Sequence, residues 1–242
     1  MDSRVPEIRK YLKKKLDAYR YEHTLGVEFT CQALAMRYGY DLDKADLAGL
    51  LHDSAKRFEN PVMLQKCLDR GIPVTAEEER DPSLLHAKLG AWMAENKYGV
   101  DDPEILSAIT CHTTGKPGMS LLDKILYVAD YIEPRRSKAA NLPEMRKLAF
   151  IDLDQACFEI MESILEYLKS TGCQIDPMTE AACQDMRRVV SERKKETAGE
   201  ASAGTGITHQ DKEEQSVESV KRNGKTCSRG FGGEKRRRRK NY

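Results

Sequence analysis

Apolar residues recur at helical spacing along most of the chain, and this periodicity constrains the fold more than any other feature of the sequence. In segment 23–38 they are Leu25, Phe29, Ala33 and Met36, which predicts an amphipathic helix. The same spacing predicts further helices over 44–52, 84–98, 102–112, 119–132 and 151–169. Alternating β-branched runs bounded by hairpin turns are absent from the sequence. The sequence therefore predicts an all-α fold.

Residues that end or start helices mark several boundaries. Gly39 follows the first predicted helix, and glycine readily adopts the left-handed conformation that closes many helices. Asp102-Pro103 combines a capping aspartate with the early proline that a first helical turn tolerates. Residues 114–118 contain two glycines and a proline, which predicts a loop between two helices.

A change of composition near residue 196 divides the chain. From 196 to 242 apolar residues are too scarce to offset the chain entropy that folding would cost. We therefore predict a helical domain over 1–195 and a disordered, basic tail over 196–242. The formal net charge of +1 conceals this division, because residues 221–242 contain ten basic residues and one acid, while the rest is acidic.

The sequence also indicates a cytoplasmic protein. Its longest apolar runs have four or five residues, whereas a membrane-spanning helix needs about 20. The N-terminal residues lack the apolar region of a signal peptide. Seven cysteines are scattered singly without a Cys-x-x-Cys spacing, which argues against a zinc ribbon and against a thioredoxin motif. Such unpaired cysteines are typical of a reducing compartment.

Histidine and aspartate residues form the pattern that carries chemistry. One of the five histidines lies in the predicted tail, and the other four lie in predicted helices or at their ends: His23, His52, His86 and His112. Asp53 directly follows His52, and Asp130 ends an apolar helical segment, where an unpaired carboxylate would be costly to bury. Imidazole and carboxylate together suit iron, manganese and zinc, and a mixed set can hold two ions. Bound ions would form a positive clamp for phosphate oxygens.

Five segments around these residues resemble the HD-domain metal-dependent phosphohydrolases, and more closely the YqeK-type symmetrical diadenosine-tetraphosphate hydrolases. The segments are 21–27 (YEHTLGV), 50–56 (LLHDSAK), 84–86 (LLH), 112–120 (HTTGKPGMS) and 126–136 (LYVADYIEPRR). The order His, His-Asp, Asp is typical of the whole superfamily, whereas TTGxPGMS and ADYIEP are specific to the narrower group. The resemblance extends over about residues 6–170. Two departures, Ala87-Lys88 after His86 and Cys111 before His112, affect the rim of the site more than its ligands.

This resemblance implies an HD-domain helical bundle that cleaves diadenosine tetraphosphate symmetrically into two molecules of ADP. The implied cofactor is iron, or another divalent transition metal such as manganese, as one or two ions. The resemblance assigns the first ion to four side chains: His23, His52, Asp53 and Asp130. It assigns His86 and His112 to a second ion or to the phosphates of the substrate.

The mechanism we hypothesise is in-line attack on phosphorus by a metal-bound hydroxide beside the catalytic Asp53. Lys56 lies one helical turn further on and is expected to bind phosphate and assist catalysis, unless it is a solvated surface lysine. Thr113 and Thr114, with Gly115, offer hydroxyl and backbone N–H donors to phosphate; for Thr114, a loop that only joins two helices is an equally good interpretation. Arg135 and Arg136 could each pair with a terminal phosphate, and Arg136 is the better candidate; a surface basic pair is the alternative.

Two other functions remain open from the sequence alone. One is another HD-domain nucleotide phosphohydrolase, acting on a deoxynucleotide, a cyclic dinucleotide or an alarmone. The other is a non-catalytic nucleotide-sensing module that keeps the metal. Two partner interactions also remain open: a weak contact of the basic tail with RNA or ribosomes through counterion release, and a homodimer.

Overall fold

Helices account for the regular secondary structure of the part of the chain that the computed structural model describes, residues 2–203. No strand occurs in this range, so the predicted all-α class is confirmed. The helices are α1 (Val5–Lys15), α2 (Ala18–Tyr38), α3 (Leu42–Leu51), α4 (Asn60–Asp69), α5 (Ala76–Arg80), α6 (Leu85–Tyr98), α7 (Pro103–Cys111), α8 (Leu121–Ile132), α9 (Leu142–Leu148), α10 (Leu153–Thr171) and α11 (Pro177–Ala203). A short 3₁₀ turn, Pro82–Leu84, precedes α6.

The helix-boundary signals of the sequence act as expected. The N-cap carboxylate of Asp102 accepts hydrogen bonds from two backbone N–H groups of α7, and Gly39 closes α2 with φ 67°. Each feature satisfies backbone groups that a helix end would otherwise leave unpaired. The predicted domain boundary at residue 195 falls inside α11, which continues to Ala203. The rest of the predicted tail, 204–242, lies outside the described residues.

Helix α2 is confirmed, but it buries a different face from the one that its apolar spacing suggests. Phe29 and Met36 are 52% and 66% exposed, whereas His23, Thr24 and Glu28 are buried. These polar residues find different partners: Glu28 accepts hydrogen bonds from Arg9 in α1, and His23 Nδ1 contacts Glu133 at the end of α8. Apolar periodicity does not detect a face whose polar groups are satisfied by tertiary contacts.

Close packing of α2 against α3 brings the first two histidines together. Gly49 in α3 lies so near α2 that a Cβ atom there would sit 2.7 Å from the Cα of Glu28. Glycine therefore permits the two backbones to approach closely. Helices α3 and α7 pack against α8, and α6 packs against α7 and α3, around a core that includes Leu50, Leu51 and Ile109.

Five of the six cysteines that the structure describes are small core residues. Cys31, Cys67, Cys111, Cys157 and Cys183 are buried with free thiols, and Cys173 is exposed. Among the described residues, no helix is both long and apolar enough to cross a bilayer.

Candidate metal centre

Six side chains from five neighbourhoods of the fold converge on one buried centre. The structure brings together every ligand that the resemblance implied: His23 in α2, His52 and Asp53 after α3, His86 in α6, His112 after α7 and Asp130 in α8. The imidazole rings form a chain of edge-to-face contacts, with centroid separations of 5.4, 5.1 and 4.9 Å. Residues far apart in sequence thus share one site.

Asp53 lies between two pairs of histidines. Its Oδ2 is 3.8 Å from His23 Nε2 and 3.6 Å from His52 Nε2. Its Oδ1 is 3.5 Å from His86 Nε2 and 3.8 Å from His112 Nε2. Each carboxylate oxygen of Asp53 therefore faces a different pair of imidazoles.

The far nitrogen of every ring is held by a hydrogen bond. The Nδ1–H groups of His52, His86 and His112 donate to the backbone oxygens of Gly49, Ser83 and Ile109 at 2.7, 2.5 and 2.7 Å. His23 differs, because its Nδ1 donates to the Glu133 carboxylate at 3.1 Å. With the proton on Nδ1, each ring directs the lone pair of Nε2 toward the centre, as metal-ligating histidines do.

The orphaned nitrogens of the centre fit a metal ion. His52 Nε2 is buried without a hydrogen-bond partner, although buried polar groups are nearly always paired. His23 Nε2 has the Asp130 carboxylate beside it, with Oδ1 at 3.1 Å. His86 Nε2 and His112 Nε2 lie 3.1 Å apart, and both rings already donate through Nδ1, so two lone pairs face each other. One candidate group comprises His23, His52 and Asp130, and another His52, Asp53 and His112. A divalent cation would satisfy these donors.

Burial and neighbouring charges keep most of these side chains in the deprotonated form that binds a cation. Burial lowers the pKa of His52 to about 4 and that of His86 to about 3, so both imidazoles are neutral at pH 7. Burial alone would raise the pKa values of Asp53 and Asp130, but neighbouring histidines outweigh it and hold both pKa values below the usual range. Burial also opposes protonation of His23, yet Asp130 and Glu133 raise its pKa.

Basic side chains surround the two carboxylates. Arg20 donates to Asp53 Oδ2 at 2.6 Å, and Arg136 donates to Asp130 Oδ1 at 2.6 Å. The Arg20 contact is absent from the sequence prediction, although the residue lies one turn before His23. Burial lowers the pKa of the predicted Lys56, and the negative charge of nearby Asp53 opposes this shift only in part.

Of the remaining predicted phosphate ligands, Thr113 lies at the histidine cluster and Arg135 lies at the surface. Thr113 Oγ1 lies 3.1 Å from His86 Nε2 and 3.3 Å from His112 Nε2, at the second pair of histidines. Arg135 instead forms an exposed ion pair with Glu22 at 2.7 Å, so the structure does not bring its guanidinium to the cluster.

A cleft of about 320 Å³ opens beside His112 and Asp130. Its walls combine aromatic and aliphatic side chains with a basic rim that includes Arg136 and Lys138. The other lining residues include Tyr19, Tyr127, Tyr131, Leu142, Ile160 and Ile164. These side chains come from α2, α8, α9 and α10, and no local pattern in the sequence marks them as neighbours. The cleft offers an apolar surface next to the candidate metal centre.

Comparisons with known proteins place these features in a family context. The chain matches the HD domain family over residues 20–135. It is 40% identical over 168 residues to the symmetrical bis(5'-nucleosyl)-tetraphosphatase of Bacillus subtilis, a match that spans 69% of this chain and 89% of that protein. The protein of the same name from Staphylococcus aureus is 33% identical over 168 residues, with shares of 68% and 84%.

The fold has a solved counterpart as well. The crystal structure of a predicted HD superfamily hydrolase involved in NAD metabolism from Clostridium acetobutylicum is similar, with a TM-score of 0.73 and 37% sequence identity. The similarity covers 76% of this chain and 96% of that chain. Both the sequence and the helical arrangement are therefore shared with known proteins.

Proposed function

Because this chain belongs to the HD-domain family of symmetrical bis(5'-nucleosyl)-tetraphosphatases, we propose that it hydrolyses diadenosine tetraphosphate into two molecules of ADP with the help of divalent metal ions. The single observation that supports this activity best is the placement of Asp53 between two pairs of imidazoles whose Nε2 atoms face its carboxylate. Polyphosphate hydrolysis needs concentrated positive charge at one point, and this donor set can bind it.

We assign the first cation to four donors: His23, His52, Asp53 and Asp130. His86 and His112, with the other oxygen of Asp53, would hold a second cation or contact the phosphates directly. When bound, such a cation would supply Lewis acidity for phosphate oxygens and for the activation of water. The unpaired Nε2 of His52, and the Asp130 carboxylate 3.1 Å from His23 Nε2, support the first assignment.

The protein's own side chains would bind and orient the substrate. Arg20 and Arg136 lie against the two carboxylates and offer guanidinium N–H groups to phosphate oxygens. Lys56 and Thr113 would add an ammonium and a hydroxyl from the α3 and α7 sides. The cleft beside Asp130 would hold one nucleoside half of the substrate against its tyrosines and aliphatic side chains. Water then adds to one of the two central phosphorus atoms, and the other ADP leaves.

Four finer assignments, on the metal, the location and two partner interactions, have different support. Iron is our choice of metal because mixed imidazole and carboxylate donors suit it, as they suit manganese. A reducing, cytoplasmic location agrees with the buried free thiols. The predicted contact of the basic tail with RNA or ribosomes lies outside the described residues, and the homodimer stays a prediction from the sequence.

Product analysis tests the proposed reaction. Full-length protein loaded with Fe²⁺ or Mn²⁺ is incubated with diadenosine tetraphosphate in H₂¹⁸O. We expect ADP as the sole product, with one ¹⁸O in one of the two ADP molecules from each turnover. AMP and ATP as products would reject symmetrical cleavage. Faster hydrolysis of a deoxynucleotide, a cyclic dinucleotide or guanosine tetraphosphate would favour another HD-domain hydrolase, and no hydrolysis with metal bound would favour a sensor.

A further inference from the structure

Glu133 gives His23 a support that the other three histidines of the centre lack. The carboxylate is buried, with only 1% of the residue exposed, at the end of α8. Its Oε1 accepts the hydrogen bond from His23 Nδ1 at 3.1 Å, while its Oε2 accepts one from the backbone N–H of Arg135 at 2.7 Å. Both carboxylate oxygens are therefore engaged, and the group is fixed in place behind the imidazole.

Gly26 makes the room that this carboxylate occupies. A Cβ atom at position 26 would lie 2.5 Å from Glu133 Oε2 and 3.2 Å from its Cδ. Those distances are shorter than van der Waals contact, so any larger residue would displace the carboxylate. Alanine would otherwise favour the α2 helix over glycine. The position of the carboxylate thus gives a physical reason for glycine in the middle of this helix.

We propose that Glu133 is a positioning residue for His23 and that Gly26 is the specific gap in α2 that admits it. The carboxylate fixes the proton of His23 on Nδ1, aims Nε2 at the centre and makes that nitrogen a stronger ligand. This inference rests on the proposed function in one respect, because it takes His23 as a ligand of the first cation.

Cation affinity tests the role of Glu133 without reference to catalysis. Mn²⁺ binding to the full-length chain is measured by electron paramagnetic resonance for the wild type, Glu133→Ala and Glu133→Gln. Loss of a carboxylate behind a ligating histidine weakens binding by about 10–100-fold, and we expect this loss in Glu133→Ala, with a smaller one in Glu133→Gln. Glu22→Gln is the matched control, since it removes an exposed carboxylate beside His23 that contacts Arg135 instead. Wild-type affinity in Glu133→Ala would overturn the inference.

A double-mutant cycle tests the role of Gly26. Gly26→Ala should weaken Mn²⁺ binding by a factor similar to that of Glu133→Ala. In the Glu133→Ala background it should have almost no further effect, because the nearest remaining atom, Cβ of residue 133, lies 3.5 Å from the new methyl group. Additive effects would show that Gly26→Ala acts elsewhere and would overturn the inference.

The tautomer of His23 provides a readout that a loss of stability would not imitate. Long-range ¹H–¹⁵N spectra of histidine-labelled, metal-free protein are recorded while the pH is raised until the His23 signals no longer change. We expect the Nδ1–H form in the wild type and a mixture of tautomers in Glu133→Ala, with the other rings unchanged. A mixture in the wild type would overturn the inference. Wild-type protein that binds Mn²⁺ without cleaving diadenosine tetraphosphate would refute the proposed function alone.

Discussion

The centre consists of two halves that share Asp53 but differ in charge. The first half comprises His23, His52 and Asp130, and the second comprises His86 and His112. Asp130 adds a carboxylate to the first half, and Glu133 adds another behind His23. In the second half, the nitrogens that face away from the centre contact only backbone oxygens. The difference suggests a division of work, in which the first half retains a cation by charge and the second binds a cation or phosphate more weakly.

Removal of the shared carboxylate should disrupt both halves and is the largest effect we expect. Asp53→Ala leaves each pair of imidazoles without its common oxygen donor. Substitution of a residue that only supports a metal ligand already weakens metal binding or activity by about 10–100-fold. Loss of the Asp53 ligand itself should therefore lower turnover by more than 100-fold and remove bound metal from both halves. Metal analysis and ADP release measure the two losses. Asp69→Ala removes an exposed carboxylate of α4 as the control. Substantial activity in Asp53→Ala would contradict the scheme.

Single histidine variants compare the two halves directly. His23→Ala should abolish the tightly held ion, whereas His112→Ala should leave it in place after dialysis, because the donors with the extra carboxylate remain. Both variants should lose turnover by about 100-fold, the upper end of the loss caused even by substitutions of residues that only support a metal ligand. Metal content is measured by mass spectrometry beside the wild type. Equal metal loss in the two variants would refute the proposed difference between the halves.

Arg20 should affect the substrate more than the metal. Net hydrogen bonds to charged groups contribute about 1.5–3 kcal/mol, which corresponds to a KM for diadenosine tetraphosphate raised by about 10–100-fold in Arg20→Ala. Arg135→Ala is the control, since that guanidinium pairs with Glu22 at the surface. Steady-state kinetics at fixed Mn²⁺ separate KM from kcat. An unchanged KM, or equal effects in both variants, would mean that Arg20 serves only to neutralise Asp53.

The pH dependence of stability should differ in sign between His86 and His23. Unfolded histidine has a pKa of about 6.5, and buried His52 and His86 bind a proton only near pH 4 and 3. The unfolded state therefore takes up more protons as the pH falls below 6.5, and the folded state loses stability. The pKa of His23 is raised, so its contribution is present at low pH and is lost as the pH rises above 6.5.

Urea unfolding of metal-free protein at pH 6.5 and 5.5 measures this smallest effect. Each of His52 and His86 should reduce the free energy of unfolding by about 1 kcal/mol over that interval. His86→Gln should remove its share of the loss. If His86→Gln loses as much stability on acidification as the wild type, the ring is not held neutral by burial.

Local sequence determined much of this protein. Helix boundaries at Gly39 and Asp102 follow from backbone stereochemistry over a few residues. The order of histidines and aspartates, with their flanking segments, was enough to predict the donor set that the fold assembles. Even the orientation of three rings is local, because His52, His86 and His112 each donate to a backbone oxygen only three residues earlier.

Only the tertiary structure decided the features that depend on distant segments. The stripe that includes Phe29 and Met36 has the spacing of a packing face, yet α2 turns the face with His23 and Glu28 inward. Distant side chains pair with these groups there: Glu133 with His23, and Arg9 of α1 with Glu28. Arg20 meets Asp53 from 33 residues away, and Glu133 meets His23 from 110. Periodicity and spacing report neighbours on one helix, whereas side chains from separate helices become partners only when packing fixes the distance between them.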